Sequence, residues 1–217
     1  MKLILILLGM IIYSSNSMVL VNSEANNSFQ KGYDYLVESE FEKAIKYFTK
    51  TIKIEEDAYE AYFLRAICYA YLNEHNKAID DYTAIEDVKY MKRHIILNNR
   101  GLEYAKLKMT KEAIDDFSKA IEILPSFAEP YNNRGHQLEE LGDFQNALLD
   151  YYSAIELDTS SDKQIYLYNA ARLESIIGNE NYAMLLLDKA LSINPEFKEA
   201  IDLKEKFKNK FANFIKN

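Results

Sequence analysis

From Ala25 onward apolar residues return every three or four positions, in short runs separated by polar breaks. That period belongs to amphipathic helices, where residues three and four apart share a face. The stretch from Ala128 to Thr159 shows it most fully, as two short helices joined by a turn at Leu141-Gly142-Asp143. Small residues stand at fixed offsets inside it: Gly135, Ala147 twelve positions on, and Ala154 seven further. The offsets recur at Gly101, Ala113 and Ala120, at Ala171, Ala183 and Ala190, and at Gly32, Ala44 and Thr51. Helices approach closely only where the crossing side chains are small. The spacing therefore predicts helical hairpins in which Gly135 faces Ala147 and Ala154 makes room for the following helix. Phe48, Tyr82, Phe117 and Tyr151, with Leu187 in the last place, fall four positions after the first alanine and fill the space between helices. Pro125 and Pro195 end second helices, because proline cannot continue the backbone ladder.

Two helices per unit, repeated at about 34 residues, is the period of tetratricopeptide repeats. The chain resembles that family, most clearly through Tyr131, Gly135, Gly142, Ala147, Tyr151 and Ala154. The resemblance implies an all-α fold, an α-solenoid of about five helix-turn-helix repeats with a C-terminal capping helix. The repeats run over 25–58, 59–93, 94–127, 128–161 and 164–197, and the last helix over 198–217. Each repeat leaves an apolar face that a neighbour must cover. Ile201, Phe207, Phe211, Phe214 and Ile215 supply the apolar side expected of a cap, while the six lysines of that helix also suit an anionic membrane surface. The second repeat departs from the pattern: Asp80-Asp81-Tyr82-Thr83-Ala84-Ile85 reads one residue short against Asp115 to Ile121. One lost residue turns the rest of the helix by about 100°, so either Ala84 keeps its place through a tightened turn or Ile85 takes it over. An irregular joint is predicted there, leading into the basic loop Lys89 to His94.

The N-terminus reads differently. Lys2, the apolar run Leu3 to Ile12 and the small residues Ser14 to Ser17 have the order of a signal peptide over 1–23, with cleavage after Ser17 or Ser23. The run is short for a bilayer span, and no cysteine lies near to carry a lipid. An exported chain is expected, periplasmic or secreted in a bacterium; an uncleaved segment anchored in a membrane is the alternative.

The 217 residues include three prolines, six glycines and no tryptophan, and 48% are hydrophobic, a composition of an ordered helical protein. The net charge of −8 is spread along the chain and argues against nucleic acid as a partner. The single cysteine, Cys68, forms neither an intramolecular disulfide nor a metal site of usual spacing, and its apolar setting predicts a buried, inert thiol. There is no glycine-rich phosphate loop, no His-Glu-x-x-His and no Gly-x-Ser-x-Gly. His75, His94 and His136 are scattered, and pairs such as Asp115-Asp116 and Glu139-Glu140 read as solvated faces. Neither catalysis nor a cofactor nor a metal is expected.

The informative signal is asparagine. Asn99, Asn133 and Asn169 occupy equivalent places on the first helices of repeats three, four and five, and Asn98 and Asn132 precede two of them. In the family the first helices line the concave groove, so the resemblance implies a ladder that grips an extended peptide. A carboxamide both donates and accepts, and so pairs with a peptide backbone without reading its sequence. His136, Glu139, Glu140 and Arg172 lie beside the ladder and would supply selectivity. The alternative is that the amides merely tie helices together. In repeats one and two Phe29 and Phe63 replace the leading asparagine, joined by Tyr33, Ile67 and Tyr71. They form either an apolar half-groove for a partner helix or aromatic core. The expectation is a non-enzymatic scaffold that binds a protein or peptide in its groove. The rival is a membrane-associated assembly or secretion component.

Overall fold

The computed structural model describes residues 22–88 and 91–216, with side chains through Asn209. The expected export segment up to residue 21, Lys89 and Tyr90 of the basic loop, and the side chains of Phe211, Phe214 and Ile215 lie outside the described residues. Among the described residues there are eleven helices and no strand. They fall into two compact units, divided after Ile123.

The first unit holds three antiparallel hairpins: α1 (Ser23–Val37) with α2 (Phe41–Ile54), α3 (Tyr59–Tyr71) with α4 (His75–Ala84), and α5 (Arg93–Lys106) with α6 (Thr110–Ile123). Asn22 caps α1, its side chain accepting from the backbone N–H of Glu24 at 2.8 Å, which satisfies a donor the helix cannot. The hairpins close on aromatic rings. A methyl group added at Gly32 would stand 2.8 Å from the Phe48 ring, and one at Gly101 2.7 Å from Phe117. Glycine is thus the residue that lets each ring lie against the backbone of the facing helix.

The joint between the second and third repeats is irregular. Helix α4 has 10 residues where α2 and α6 have 14, and it stops at Ala84. Ala84 is exposed, whereas Ile85 is fully buried. Ile85 stands seven positions after Ala78, so it takes the place that alanine or threonine fills elsewhere. Short-range turns come next, Ile85 N–H to Tyr82 C=O and Val88 N–H to Ile85 C=O. The physical reason lies in Glu86, which this turn aims inward to accept from Arg100 at 2.6 Å and Arg93 at 3.1 Å.

The second unit contains α7 (Ala128–Glu140) with α8 (Phe144–Leu157), α9 (Lys163–Ile176) with α10 (Glu180–Ile193), and α11 (Lys198–Lys216). Gly135 faces Ala147 as expected, and the structure adds a nearer neighbour. A Cβ at Gly135 would meet the Tyr151 ring first, at 2.9 Å, and then the Ala147 backbone oxygen, at 3.2 Å. The glycine makes room for the Tyr151 ring as well as for the facing Ala147 backbone. Ala154 is buried with Ala128 and Tyr166 of the neighbouring first helices, as its small size predicted. Helix α11 covers α10 and α9: Ala200 and Phe207 are buried in their core, with Phe197 and Leu203 packed beside them. Lys204 ties it to Asp188 of α10. It is the cap that the last repeat needs.

Candidate interaction face

In the second unit a polar network runs between the two first helices, α7 and α9. The Asn169 side-chain N–H group donates to Asn132 Oδ1 at 2.8 Å and to His136 Nε2 at 3.1 Å. On the other side of the ring, His136 Nδ1 lies 3.1 Å from the Tyr151 hydroxyl, which donates to Glu139 Oε2 at 3.0 Å. Arg172 closes the network with two bonds to the Glu139 carboxylate, 2.5 and 2.6 Å.

Charge and burial make the directions consistent. Burial and then the nearby Arg172 charge push the His136 imidazole below its usual pKa, so the ring is neutral near pH 7. A neutral ring has one acceptor and one donor. Asn169 takes the acceptor, which leaves Nδ1–H to donate to Tyr151. Burial pushes the Glu139 carboxyl up, but the Arg172 hydrogen bonds and charge bring it below the usual carboxylate range. The result is a one-way chain, Asn169 to His136 to Tyr151 to Glu139, anchored by a guanidinium.

Asn132 and Asn169 are buried and bonded to each other, so here the asparagines tie first helices together. Asn133, His136, Glu139 and Arg172 are half-buried on the same pair of helices, and Glu140 is exposed. In the first unit Asn98 is buried, and Asn99 hydrogen-bonds the Tyr82 hydroxyl. The ladder residues therefore act within each unit as parts of a helix-linking network, and the half-buried ones form its outer edge.

The apolar half-groove is corrected more sharply. Phe29, Phe63 and Ile67 belong to the core of the first unit. Phe29 packs on Phe48 with ring centres 5.7 Å apart, and Phe63 meets Tyr82 edge-on at 5.8 Å. A partner cannot touch rings that the hairpins have already buried. Tyr33 is half-buried, and Tyr71, stacked on Phe41 at 4.8 Å, is the exposed member.

A second set of charged residues was missed by sequence reasoning. Arg65, Arg100 and Arg134 each make a two-pronged ion pair with an aspartate sixteen positions on, Asp81, Asp116 and Asp150, at 2.7–2.8 Å. Each arginine precedes the small residue of a first helix, and each aspartate precedes the aromatic plug of the second. That pairing was available in the sequence once the hairpin register was known. Arg65 also reaches Thr49 at 2.9 Å, and Arg100 reaches Thr83 at 3.1 Å, so each guanidinium links its own second helix to the preceding one. His75 is likewise held, by Glu103 at 2.7 Å. Among the described residues no cluster of metal-binding side chains occurs.

Comparison with known proteins settles the scaffold. Two adjacent stretches, 94–127 and 128–161, each match the tetratricopeptide repeat family. Residues 94–161 are two tetratricopeptide repeats. It is 33% identical over 88 residues to heat shock protein STI1 of Saccharomyces cerevisiae, a match covering 41% of this chain and 15% of that protein. Tetratricopeptide repeat protein 36 of Danio rerio is 29% identical over 128 residues, covering 58% of this chain and 68% of the relative. Among solved structures, the repeat protein YrrB superposes with a TM-score of 0.65 at 22% identity, covering 83% of this chain and 92% of YrrB. The all-α solenoid class is thereby established. Tetratricopeptide repeats generally serve protein–protein interaction, because stacked hairpins expose an extended face of side chains.

Proposed function

We propose that this protein is a non-catalytic scaffold that binds a protein segment in extended form along its first helices. The observation that carries the reading is the Glu139–Arg172 ion pair, which bridges α7 and α9 at 2.5 Å with 31% of the arginine side chain exposed. Behind it the His136–Tyr151 chain holds the Glu139 carboxylate, which in turn holds Arg172, so the face is organised before any ligand arrives. Asn133 and Glu140 flank the pair and would select among segments. YrrB, described as having an unusual peptide-binding site, gives the reading a precedent on the same fold.

Photo-crosslinking tests it directly. A crosslinker placed at Asn133 or Glu140 should trap a partner in cells, whereas one at the exposed Lys46 of α2 should not. Equal yields at all three positions, or adducts only at Lys46, would reject the first-helix face. Variants at Asn169 are a poor probe, since that amide holds two helices together.

Export through the N-terminal segment belongs to the same proposal, and α1 helps choose between cleavage sites. Asn22 caps α1 and its backbone N–H donates to Glu55 at 2.5 Å. Cleavage after Ser17 keeps both contacts, while cleavage after Ser23 removes them. N-terminal sequencing of the mature chain should therefore begin at Met18. An intact Met1 in the membrane fraction would favour the anchored alternative.

A further inference from the structure

A cleft of about 600 Å³ opens in the second unit between the second helices α8 and α10 and the start of α9. Leu167 and Leu186 are buried in its floor beside the half-buried Ile155, and Ile193, Lys163 and Lys189 stand at its rim. Tyr152 and Tyr182 close one end, edge to face with ring centres 6.2 Å apart. The Tyr152 hydroxyl donates to Glu174 and is hydrogen-bonded to Tyr182, so these two polar groups are already engaged.

The reason for the cleft can be read from the preceding repeats. At the joint between repeats two and three, Thr83, Glu86, Arg100 and Asp116 form one bonded cluster. Counting from the small residue of each first helix, the same four positions at the joint between repeats four and five hold Tyr152, Ile155, Ala170 and Leu186. The arginine has become alanine, and both carboxylates have become aliphatic. Ala170 is itself buried in the core, and the other three, Tyr152, Ile155 and Leu186, line the cleft. The two carboxylates that hold the guanidinium at the earlier joint have no counterpart here.

We propose that this cleft binds an anionic amphiphile, specifically a medium-chain monocarboxylate. Its hydrocarbon tail lies over Ile155, Leu167, Leu186 and Ile193, and its carboxylate lies between the Lys163 and Lys189 ammonium groups. Charge complementarity selects this ligand. Neither lysine is in an ion pair with a described residue, and the single carboxylate lining the cleft, Glu156, is outnumbered by the two ammonium groups. The volume lies in the range of small-ligand sites, about 300–1,000 Å³. The cleft is built from residues other than those of the Glu139–Arg172 face, so it stands independently of the peptide-scaffold reading.

The test is a titration of the full chain with decanoate, monitored by methyl NMR of the isoleucines and leucines. The expected result is saturable shifts at Ile155, Leu167, Leu186 and Ile193. Affinity should fall by about fourfold for each methylene removed on going to octanoate and hexanoate. The Lys163→Gln, Lys189→Gln variant, altered only at the cleft rim, should lose about tenfold in affinity with an unchanged melting curve. Ile193→Glu, at a partly exposed rim position, should abolish binding. Decanol binding as tightly as decanoate, or a dodecyltrimethylammonium cation doing so, would overturn the proposal. So would decanoate failing to shift these methyls while a short peptide ending in leucine does, since the site would then read a peptide terminus.

Discussion

The joint between α4 and α6 and the joint between α8 and α10 share a register and differ in what fills it. In the first, a buried arginine, 6% exposed, joins Asp116, Glu86 and Thr83. In the second, the equivalent positions are alanine, leucine, isoleucine and tyrosine, and a cleft remains. One solution welds neighbouring second helices with charge and the other leaves them apolar and accessible. Most exposed large hydrophobic residues, among them Leu149, Ile165, Tyr182, Leu185 and Ile193, lie in the second unit, while Tyr71, Met109 and Ile123 lie in the first. A repeat scaffold can thus keep the spacing of its small residues while changing what its outer face offers.

Removing the weld should have the largest effect. Arg100→Ala strands Asp116, 2% exposed, without its cation and leaves Glu86 with Arg93 alone. Breaking a buried pair on one side costs about 3–5 kcal/mol, and urea midpoints should show it. The comparison predicts more than the loss. Converting the cluster to its apolar counterpart, with Arg100→Ala, Asp116→Leu and Glu86→Ile together, should recover most of that stability, because replacing a whole buried ion cluster by apolar groups is often neutral. A triple variant no more stable than Arg100→Ala would show that the first unit needs the charges for more than filling space.

The next effect concerns the aromatic plug. Gly101→Ala sets a methyl 2.7 Å from the buried Phe117 ring, an overpacking that should cost about 1–3 kcal/mol. The fifth repeat shows a different solution, with Ala171 opposite Leu187, both fully buried. Gly101→Ala combined with Phe117→Leu should therefore cost less than the sum of the two single changes. A double-mutant cycle with no coupling would refute the ring as the reason for the glycine.

How far the sequence shows these features depends on how local their causes are. The hairpins and their plugs were legible, since a close crossing dictates small residues at fixed offsets and an aromatic at another. The arginine–aspartate welds were not, although both members were in plain view. Residues sixteen apart on antiparallel helices meet only when the hairpin register is known. Asn169 illustrates a different limit: its periodic place was legible, but the direction of its amide was not, and it points to Asn132 and His136. Phe29 and Phe63 sit at the same position as Asn98 and Asn132, and all four are buried, so the helix face was misjudged for both kinds of residue. The cleft is lined by residues of three helices, α8, α9 and α10, and no single helix carries a periodic signal for it.

Acid should separate the units next. His136 has Leu102 as its counterpart in the third repeat, so the neutral-imidazole chain belongs to the second unit. Its folded pKa is depressed by burial and by Arg172. Below about pH 6.5 the unfolded chain takes up a proton at this histidine that the folded chain refuses. Stability conferred by His136 is therefore complete above that pH and is lost as pH falls toward the folded value. One proton sets the steepest slope at about 1.4 kcal/mol per pH unit. His94 is shifted in the same direction, so the readout is the difference between wild type and His136→Leu between pH 7.5 and 5. Parallel curves would show that the imidazole is not held neutral.

The smallest effect lies in the turns. The residue seven positions after each small first-helix residue has a positive φ throughout: Ser39 at 64°, Asn73 at 59°, Lys108 at 61°, Gly142 at 79° and Gly178 at 94°. The first unit places ordinary side chains there, and the second uses glycine. A left-handed conformation costs an L residue roughly 1 kcal/mol, which glycine avoids. Lys108→Gly should then stabilise the chain by about 0.5–1 kcal/mol. Gly178→Ala should destabilise it by about 1 kcal/mol, although its Cβ would enter open space with nothing within 4 Å. Because no packing changes at Gly178, thermal melts of this pair isolate backbone strain from contact. If both substitutions leave the melting temperature unchanged, the turn backbone relaxes freely, and the glycines of the second unit carry no conformational advantage.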